Sequence, residues 1–231
     1  MQVIPLLLSR LQGRFAAELG IDLGSSPEER QKWFLAAILY GARISGQLAA
    51  RTYGVFFSRG IYTPQAILDQ GWDNLVQLLD EGGYTRYDYK TATKLLRVME
   101  SLKNLYRGSL ERMHRVARDY DDLEAGIRDL APGIGPATAN IFLRELRGIW
   151  DKAAPPLSAL AQLAGEHLQL LAPGLTPQEA LKALTAHWQQ QPVAGYDFAD
   201  LEAALVRLSR DFCRKGRTDC PMGKFCGRSS T

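Results

Sequence analysis

Three cysteines are the residues of this chain best suited to bind a metal, and all of them lie within its last 19 residues. They are Cys213, Cys220 and Cys226, with six residues between the first two and five between the last two. An odd number of cysteines crowded into one segment favours metal binding, or the remnant of a metal site, over disulfide bonds. The C-terminal tail is therefore a candidate metal site.

A glycine-rich turn between two helical segments is the strongest candidate for contact with an anion. Residues 130–146 read LAPGIGPATANIFLREL, in which an amphipathic helix from Leu123 to Leu130 runs into Pro132-Gly133-Ile134-Gly135 and a second helix begins at Pro136. Two glycines let the turn point its N–H groups outward, and the start of the second helix adds unpaired N–H groups and the positive end of its dipole. Together they can bind a phosphate oxygen without reading base sequence. The pattern predicts a helix–hairpin–helix in which Ile134 plugs into the core; a plain glycine turn is the alternative.

A second segment, residues 81–97, interleaves cations with aromatic residues. It reads EGGYTRYDYKTATKLLR, and its tyrosines and cations are Tyr84, Arg86, Tyr87, Tyr89, Lys90, Lys94 and Arg97. Cations neutralise phosphates and aromatic rings stack on bases, so this pattern suits a nucleic acid. The alternative is a solvent-exposed helix face with partly buried tyrosines.

These segments belong to a chain whose pattern is helical throughout, so we predict an all-α fold. Apolar residues recur at helical spacing, and there is no convincing pair of strands. Ser26-Pro27-Glu28-Glu29 and Thr176-Pro177-Gln178-Glu179 are predicted capping boxes with proline at the first helical position. Glycine or proline marks the ends of the helices that follow.

The composition allows one large domain or two small ones, and it points away from a membrane. Among 231 residues, 28 Lys and Arg oppose 25 Asp and Glu, so any nucleic-acid binding must depend on where the charges lie rather than on the net charge. The apolar run from Ile4 to Leu8 is soon followed by Arg10 and Arg14, which indicates an amphipathic helix and neither a signal peptide nor a membrane span. We therefore expect a cytoplasmic protein without membrane contact, and a monomer, since nothing demands a dimer.

With these motifs in this order, the chain resembles the helix–hairpin–helix superfamily of DNA glycosylases and, within it, the endonuclease III branch. Residues 31–51, QKWFLAAILYGARISGQLAAR, resemble the family's early helix, whose end inserts into DNA. Residues 81–97 resemble its second DNA-contacting turn, and the cysteine tail resembles its iron–sulfur loop. The order and spacing match over most of the chain, although sequence identity is low outside the hairpin.

The resemblance implies a two-domain helical fold with a DNA cleft between the domains. The first domain would be residues 31–149 and would contain the hairpin. The second would combine residues 1–30 with residues 150–231. It would end in the cysteine-containing loop.

The resemblance also implies a partner, double-stranded DNA that is damaged, bent or branched, and a place in base-excision repair. Arg43 stands where the family carries the polar residue that it inserts into the duplex. Flipping a base costs a few kcal/mol, roughly, which a wedge and firm phosphate contacts help to offset. The residues that we expect to contact DNA are Gly133, Ile134, Gly135, Ala137, Thr138, Arg43, Arg86 and Lys90.

The family's catalytic positions are not retained. Its lyase-type enzymes carry a lysine in the second hairpin helix, which forms a Schiff base, and an aspartate further on, which activates the nucleophile or stabilises the sugar cation. Here those positions hold Ala137 and Pro155, which can do neither. Asp151, just before Pro155, could substitute if the loop is reshaped, but an exposed loop acid is the simpler interpretation; the same doubt applies to Glu145.

The family's iron–sulfur loop has the spacing Cys-x6-Cys-x2-Cys-x5-Cys, and here one residue, Cys220, replaces the middle pair. Three thiolates can hold a [4Fe–4S] cluster if the fourth iron takes another ligand. They could equally bind zinc together with a histidine, or hold no metal and simply be buried. These alternatives stay open.

Three functions compete on these observations. The chain could be an active monofunctional glycosylase that uses a non-standard acid such as Asp151, a DNA binder with lost or weak glycosylase and lyase chemistry, or a repurposed scaffold for a protein partner. The missing lysine and aspartate favour the binder over the enzyme, and the hairpin and basic segment disfavour the scaffold. We predict a protein that recognises damaged or distorted DNA, and whether any catalysis survives stays open.

Overall fold

The computed structural model describes residues 3–227, so residues 1, 2 and 228–231 of the predicted second domain lie outside the described part of the chain. Within residues 3–227 there are thirteen α-helices and no β-strand, which confirms the all-α prediction. None of the helices in this part is both long and apolar enough to cross a bilayer. The helices are α1 Val3–Arg10, α2 Phe15–Glu18, α3 Pro27–Tyr40, α4 Gly46–Ser58, α5 Pro64–Leu68, α6 Gly71–Glu81, α7 Asp88–Tyr106, α8 Leu110–Val116, α9 Tyr120–Arg128, α10 Pro136–Arg144, α11 Ala159–His167, α12 Pro177–Gln190 and α13 Phe198–Asp211, followed by 3₁₀ turns at Cys213–Lys215 and Gly223–Phe225.

Side chains cap the helix starts that the sequence pattern marks. The Thr176 hydroxyl accepts a hydrogen bond from the Glu179 N–H at 3.3 Å, and the Glu179 carboxylate accepts from the Thr176 N–H at 2.8 Å, so the predicted capping box is confirmed. The Ser26 hydroxyl likewise accepts from the Glu29 N–H at 3.3 Å. There, however, the Glu29 carboxylate accepts from the Asp22 N–H at 3.0 Å. At α3, therefore, only the Ser26 half of the predicted capping box is present, and the Glu29 carboxylate stabilises the preceding turn instead.

The chain divides into two compact units, of which one is Leu19–Ala154. At its centre is α3, where every residue from 33 to 39 is at most 1% exposed. A helix that is apolar on all sides belongs in a core. The Trp33 indole N–H donates to the Phe142 carbonyl of α10 at 3.1 Å, and the Phe34 and Phe142 rings meet edge-on at 4.9 Å. The central helix thus packs directly against the second hairpin helix.

The other unit combines Met1–Glu18 with Pro155–Thr231. Its central helix is α13, where most residues are buried. The Arg207 guanidinium in α13 donates to the backbone carbonyls of residues 11–13. Arg14 forms ion pairs with acidic residues at the start of the same helix. These contacts explain why the first residues of the chain belong to the same unit as the last helix.

The unit Leu19–Ala154 is longer at both ends than the domain predicted as residues 31–149. The segment before α3 belongs to it because Ile21 and Leu23 are buried. In addition, the Arg30 guanidinium donates to the Leu23 carbonyl at 2.5 Å. The boundaries between the two compact units lie at residues 18/19 and 154/155, whereas the predicted domain boundaries are 30/31 and 149/150.

Candidate nucleic-acid interface

The helix–hairpin–helix is formed by α9 and α10 and the turn of residues 129–135 between them. Gly133 has a φ of +92°, a backbone conformation that side-chain-bearing residues rarely adopt. Ile134 is 5% exposed, so its side chain packs into the core, as the pattern predicts. Gly135, the N-cap of α10, has an ordinary φ of −103°. Of the two glycines, only Gly133 is required by the backbone conformation of the turn.

The first turn of α10 leaves backbone N–H groups unpaired among the described residues. No side chain caps this helix, and its first residue, Pro136, has no N–H. The N–H groups of Gly135, Ala137 and Thr138 donate to no acceptor within residues 3–227. The structure gives a side-chain cap to the helices α3, α4, α5, α8, α9, α11, α12 and α13. Unpaired donors at the positive end of a helix dipole are suited to bind a phosphate.

The turn between α3 and α4 lies directly against this helix start. A Cβ added to Gly41 would stand 2.1 Å from the Thr138 Oγ1, so glycine is what allows the two segments to approach. Ser45 caps α4 by accepting from the Leu48 N–H at 3.2 Å. Arg43, between these two anchors, is exposed. Its position beside the hairpin is therefore determined by the backbone on either side of it.

The segment of alternating cations and tyrosines divides into a buried part and an exposed part. Tyr84 is 1% exposed, its hydroxyl donates to the Leu39 carbonyl at 3.2 Å, and burial raises the pKa of this phenol to about 12. Arg86 and Lys90 are exposed, and the Arg86 guanidinium lies 5.4 Å from the centre of the Tyr87 ring. Tyr84 is thus a core residue, whereas Arg86 and Lys90 face solvent.

A cavity of about 660 Å³ opens where the hairpin, the α3–α4 turn and α7 meet, inside the unit Leu19–Ala154. It brings together three of the residues predicted to contact DNA, Gly133, Arg43 and Lys90, whereas Arg86 is not among its lining residues. The rest of the lining is Gly41, Ala42, Trp72, Tyr87, Tyr89, Thr91, Thr93, Lys94, Arg97 and Pro132.

Trp72 is the lining residue that the sequence analysis missed. It is the second residue of α6, directly after Gly71. A single tryptophan at the start of an amphipathic helix is normally a core anchor, so no local signal marks it. Its exposure, 40%, is a consequence of the packing of α6 against α7.

Lys94 is half-buried and lies against the hairpin turn. Its Cε is 3.2 Å from the position that a Cβ on Gly133 would take. Burial lowers the pKa of the Lys94 amine below its ordinary value, because the ammonium loses hydration. Within residues 3–227 no carboxylate pairs with it. An anion that enters the cavity would supply the missing countercharge.

Asp151, the tentative catalytic acid, is bound to a histidine. Its Oδ1 lies 2.7 Å from the His114 Nε2, and the His114 ring stacks on Trp150 with ring centres 4.6 Å apart. The hydrogen bond with His114 holds the pKa of the Asp151 carboxyl below its ordinary value. This side chain is 77% exposed. An exposed, ionised carboxylate can stabilise a positive charge but is a poor general acid.

Ala137 and Pro155, which the sequence resemblance predicts to stand at the family's lysine and aspartate positions, carry no reactive group. Ala137 presents an exposed methyl group on the first turn of α10, and Pro155 is buried. Glu145, the other candidate acid, directly follows α10 and is 1% exposed. A carboxylate buried to that extent lies away from a surface that DNA could reach.

The C-terminal tail is anchored by an apolar side chain and a backbone contact. Met222 is completely buried, and the Gly227 N–H donates at 2.7 Å to the carbonyl of the last residue of α11. Within the described residues, no three His, Cys, Asp or Glu side chains come together as a group that could hold a metal. Cys213, Cys220 and Cys226 are each half-buried and form no disulfide bond.

Comparison with solved structures finds a similar overall fold in an endonuclease III. The matching structure is that of a trapped covalent intermediate between endonuclease III and DNA, an estranged-adenine complex. The two chains superpose with a TM-score of 0.57 and 16% sequence identity, over 97% of this chain and 92% of the other. No protein-family model matches the chain, and no curated protein matches its sequence. The chain therefore shares the all-α fold of this endonuclease III.

Proposed function

We propose that this protein binds double-stranded DNA at damaged or distorted sites through its helix–hairpin–helix, with lost or weak glycosylase and lyase chemistry. The observation that carries the proposal is the uncapped start of α10, whose N–H groups find no acceptor among the described residues. The fold shared with a DNA-bound endonuclease III supports the same conclusion.

The geometry of the turn suits a phosphate contact that ignores base sequence. Gly133 and Pro132 are exposed at the surface, and the α10 dipole points its positive end toward them. Backbone N–H groups read no base edges, so they fix the position of a protein on DNA without specifying sequence. Specificity must then come from the shape or deformability of the DNA.

The cations beside the hairpin support recognition of a distorted duplex. The net charge of the chain is only +3, yet Arg43, Lys90 and Lys94 line one cavity next to Gly133. Phosphates that converge at a bend or a break in stacking offer more negative charge to such a cluster than a straight duplex does. Affinity should be largely electrostatic and should fall as salt increases.

The proposal that chemistry is lost or weak rests on the side chains at the family's catalytic positions. Ala137 and Pro155 cannot form a Schiff base or stabilise a sugar cation. A monofunctional glycosylase that uses Asp151 is the second candidate, because the lowered pKa of this carboxyl keeps it ionised, as the stabilisation of a cation requires. A protein partner in place of DNA is a third alternative, which the uncapped hairpin disfavours.

The test combines a gel-shift assay with a base-release assay on one panel of duplexes. The panel contains undamaged, abasic, oxidised, alkylated, deaminated, mismatched and branched DNA. We expect salt-sensitive binding, tighter on one of the distorted duplexes, with no free base. Base release that is lost in Asp151→Asn would instead establish the second candidate.

The matched variants are Gly133→Ala and Gly174→Ala. Both glycines have positive φ, +92° and +81°, so alanine strains the backbone at either position. Only Gly133 lies in the hairpin. We expect Gly133→Ala to weaken DNA binding by at least tenfold and Gly174→Ala to leave it unchanged. Equal binding by both variants would show that the hairpin does not contact DNA.

A further inference from the structure

Two exposed aromatic side chains, Trp72 and Tyr89, form a pair at the mouth of the cavity. Trp72 is 40% exposed and Tyr89 is 61% exposed, and their ring centres are 5.3 Å apart with planes inclined by 38°. The Trp72 indole N–H donates to the Thr93 Oγ1 at 3.0 Å, and the Thr93 hydroxyl donates to the Tyr89 carbonyl at 2.9 Å. The tryptophan is thus held in a defined orientation although much of its ring faces solvent.

The surroundings of this pair are cationic. The cavity that both rings line also contains Arg43, Lys90, Lys94 and Arg97, and no acidic residue is among its lining. Lys94 carries no acidic partner within residues 3–227. A ligand that fits the cavity must therefore combine an anionic part with a flat part that can cover exposed rings.

An unstacked nucleobase with its flanking phosphates meets both requirements. A simple anion would pair with the cations but leave the two rings in water. An apolar ligand would cover the rings but leave Lys94 without a countercharge. Bases stack on aromatic side chains through their π-faces, and the neighbouring phosphates pair with cations, as in proteins that bind single strands.

We propose that Trp72 and Tyr89 receive one unstacked base of the bound DNA, so that the preferred ligand is a duplex with an unpaired base. This inference rests on the proposed function and narrows it, since a smoothly bent but fully paired duplex offers no free base. The site is tolerant of base identity. Stacking on an aromatic ring uses the π-face that every base has, so it does not select one base.

The test measures the affinity of the purified chain for two duplexes that differ by one unpaired base. One is fully paired, and the other carries a single-nucleotide bulge occupied in turn by each of the four bases. We expect the bulged duplex to bind about tenfold more tightly, within the range known for stacking one base on an aromatic residue, with little difference among the four bases. A bulge that contains 2-aminopurine should lose fluorescence when its base stacks on Trp72.

The variants separate stacking from general DNA binding. Trp72→Ala and Tyr89→Ala should each reduce the preference for the bulge, measured as the ratio of the affinities for the two duplexes. Trp72→Phe should retain much of that preference. The control is Phe57→Ala, which removes another exposed aromatic ring, 45% exposed, that does not line the cavity. Thermal unfolding of each variant checks that it folds.

Each outcome is decisive. Equal affinity of the wild-type chain for both duplexes, or a preference that survives Trp72→Ala and Tyr89→Ala, would overturn this inference while leaving the proposed function standing. Failure to bind either duplex would overturn both. A preference confined to one base would contradict the tolerance of the site.

Discussion

Gly41 and Thr138 are in contact, although 97 positions separate them along the chain. A Cβ on Gly41 would stand 2.1 Å from the Thr138 Oγ1 and 3.0 Å from the Thr138 Cβ. Thr138 lies in the first turn of the second hairpin helix, and Gly41 ends α3, two residues before Arg43. The contact therefore couples the second hairpin helix to the turn that carries Arg43, the predicted inserting cation.

Gly41→Ala should destabilise the protein by about 1–3 kcal/mol, because the added methyl group has no room beside Thr138. The free energy of unfolding in urea measures this. The control is Gly54→Ala in α4, where an added Cβ meets nothing within 4 Å, and which should gain about 0.5–1 kcal/mol from helix propensity. Adding Thr138→Ala to Gly41→Ala should recover part of the loss. A Gly41→Ala protein as stable as the wild type would show that the two segments are not packed as described.

Met222→Ala should cost about 2–5 kcal/mol in unfolding free energy, because it empties a completely buried site in the tail. Cys220→Ser, at a half-buried position nearby, should cost less than about 1 kcal/mol. In addition, the iron, sulfide and zinc contents of the wild-type and Cys220→Ser proteins, both prepared without oxygen, are measured. One metal ion or cluster per chain, lost in Cys220→Ser, would establish the cysteines as metal ligands, whereas no bound metal would favour thiols that are simply buried.

The carboxyl of Asp151 should titrate below its ordinary range in the folded chain, because His114 is hydrogen-bonded to it. NMR titration of the side-chain carboxyl measures its pKa, and His114→Ala should move that pKa back toward the value of an isolated aspartate. Because the folded pKa lies below the unfolded one, the contact adds stability above about pH 4 and loses it as pH falls through the folded pKa. An unchanged pKa in His114→Ala would exclude this contact in solution.

Lys94→Met should maintain or increase stability at neutral pH while weakening DNA binding. The lowered pKa of Lys94 means that the fold disfavours its charged form, so a neutral side chain of similar length removes that cost. On DNA the same change removes one cation, and the slope of log affinity against log salt should decrease in magnitude by about one. The control is Lys103→Met, which removes an exposed lysine that donates to Gln65. A Lys94→Met protein that binds as tightly and with the same slope as the wild type would place Lys94 outside the interface.

Local signals in the sequence were sufficient to predict the helical class and the hairpin. The cap at Thr176 and the turn around Gly133 are each encoded within a few residues, by a side chain that reaches its own backbone and by a φ that favours glycine. Ile134 follows from the same local pattern, because the residue between the two glycines had to point into the core. Such features depend little on the rest of the chain.

Only the tertiary structure decided which distant residues meet. The residues around Gly41 do not predict its contact with Thr138, and those around Trp72 do not predict its contact with Tyr89. Both contacts arise from the packing of helices that are separated in sequence. For the same reason the spacing of the cysteines could not show whether their thiols converge. A metal site requires its ligands to point at one place, and the direction of each thiol depends on how the tail packs.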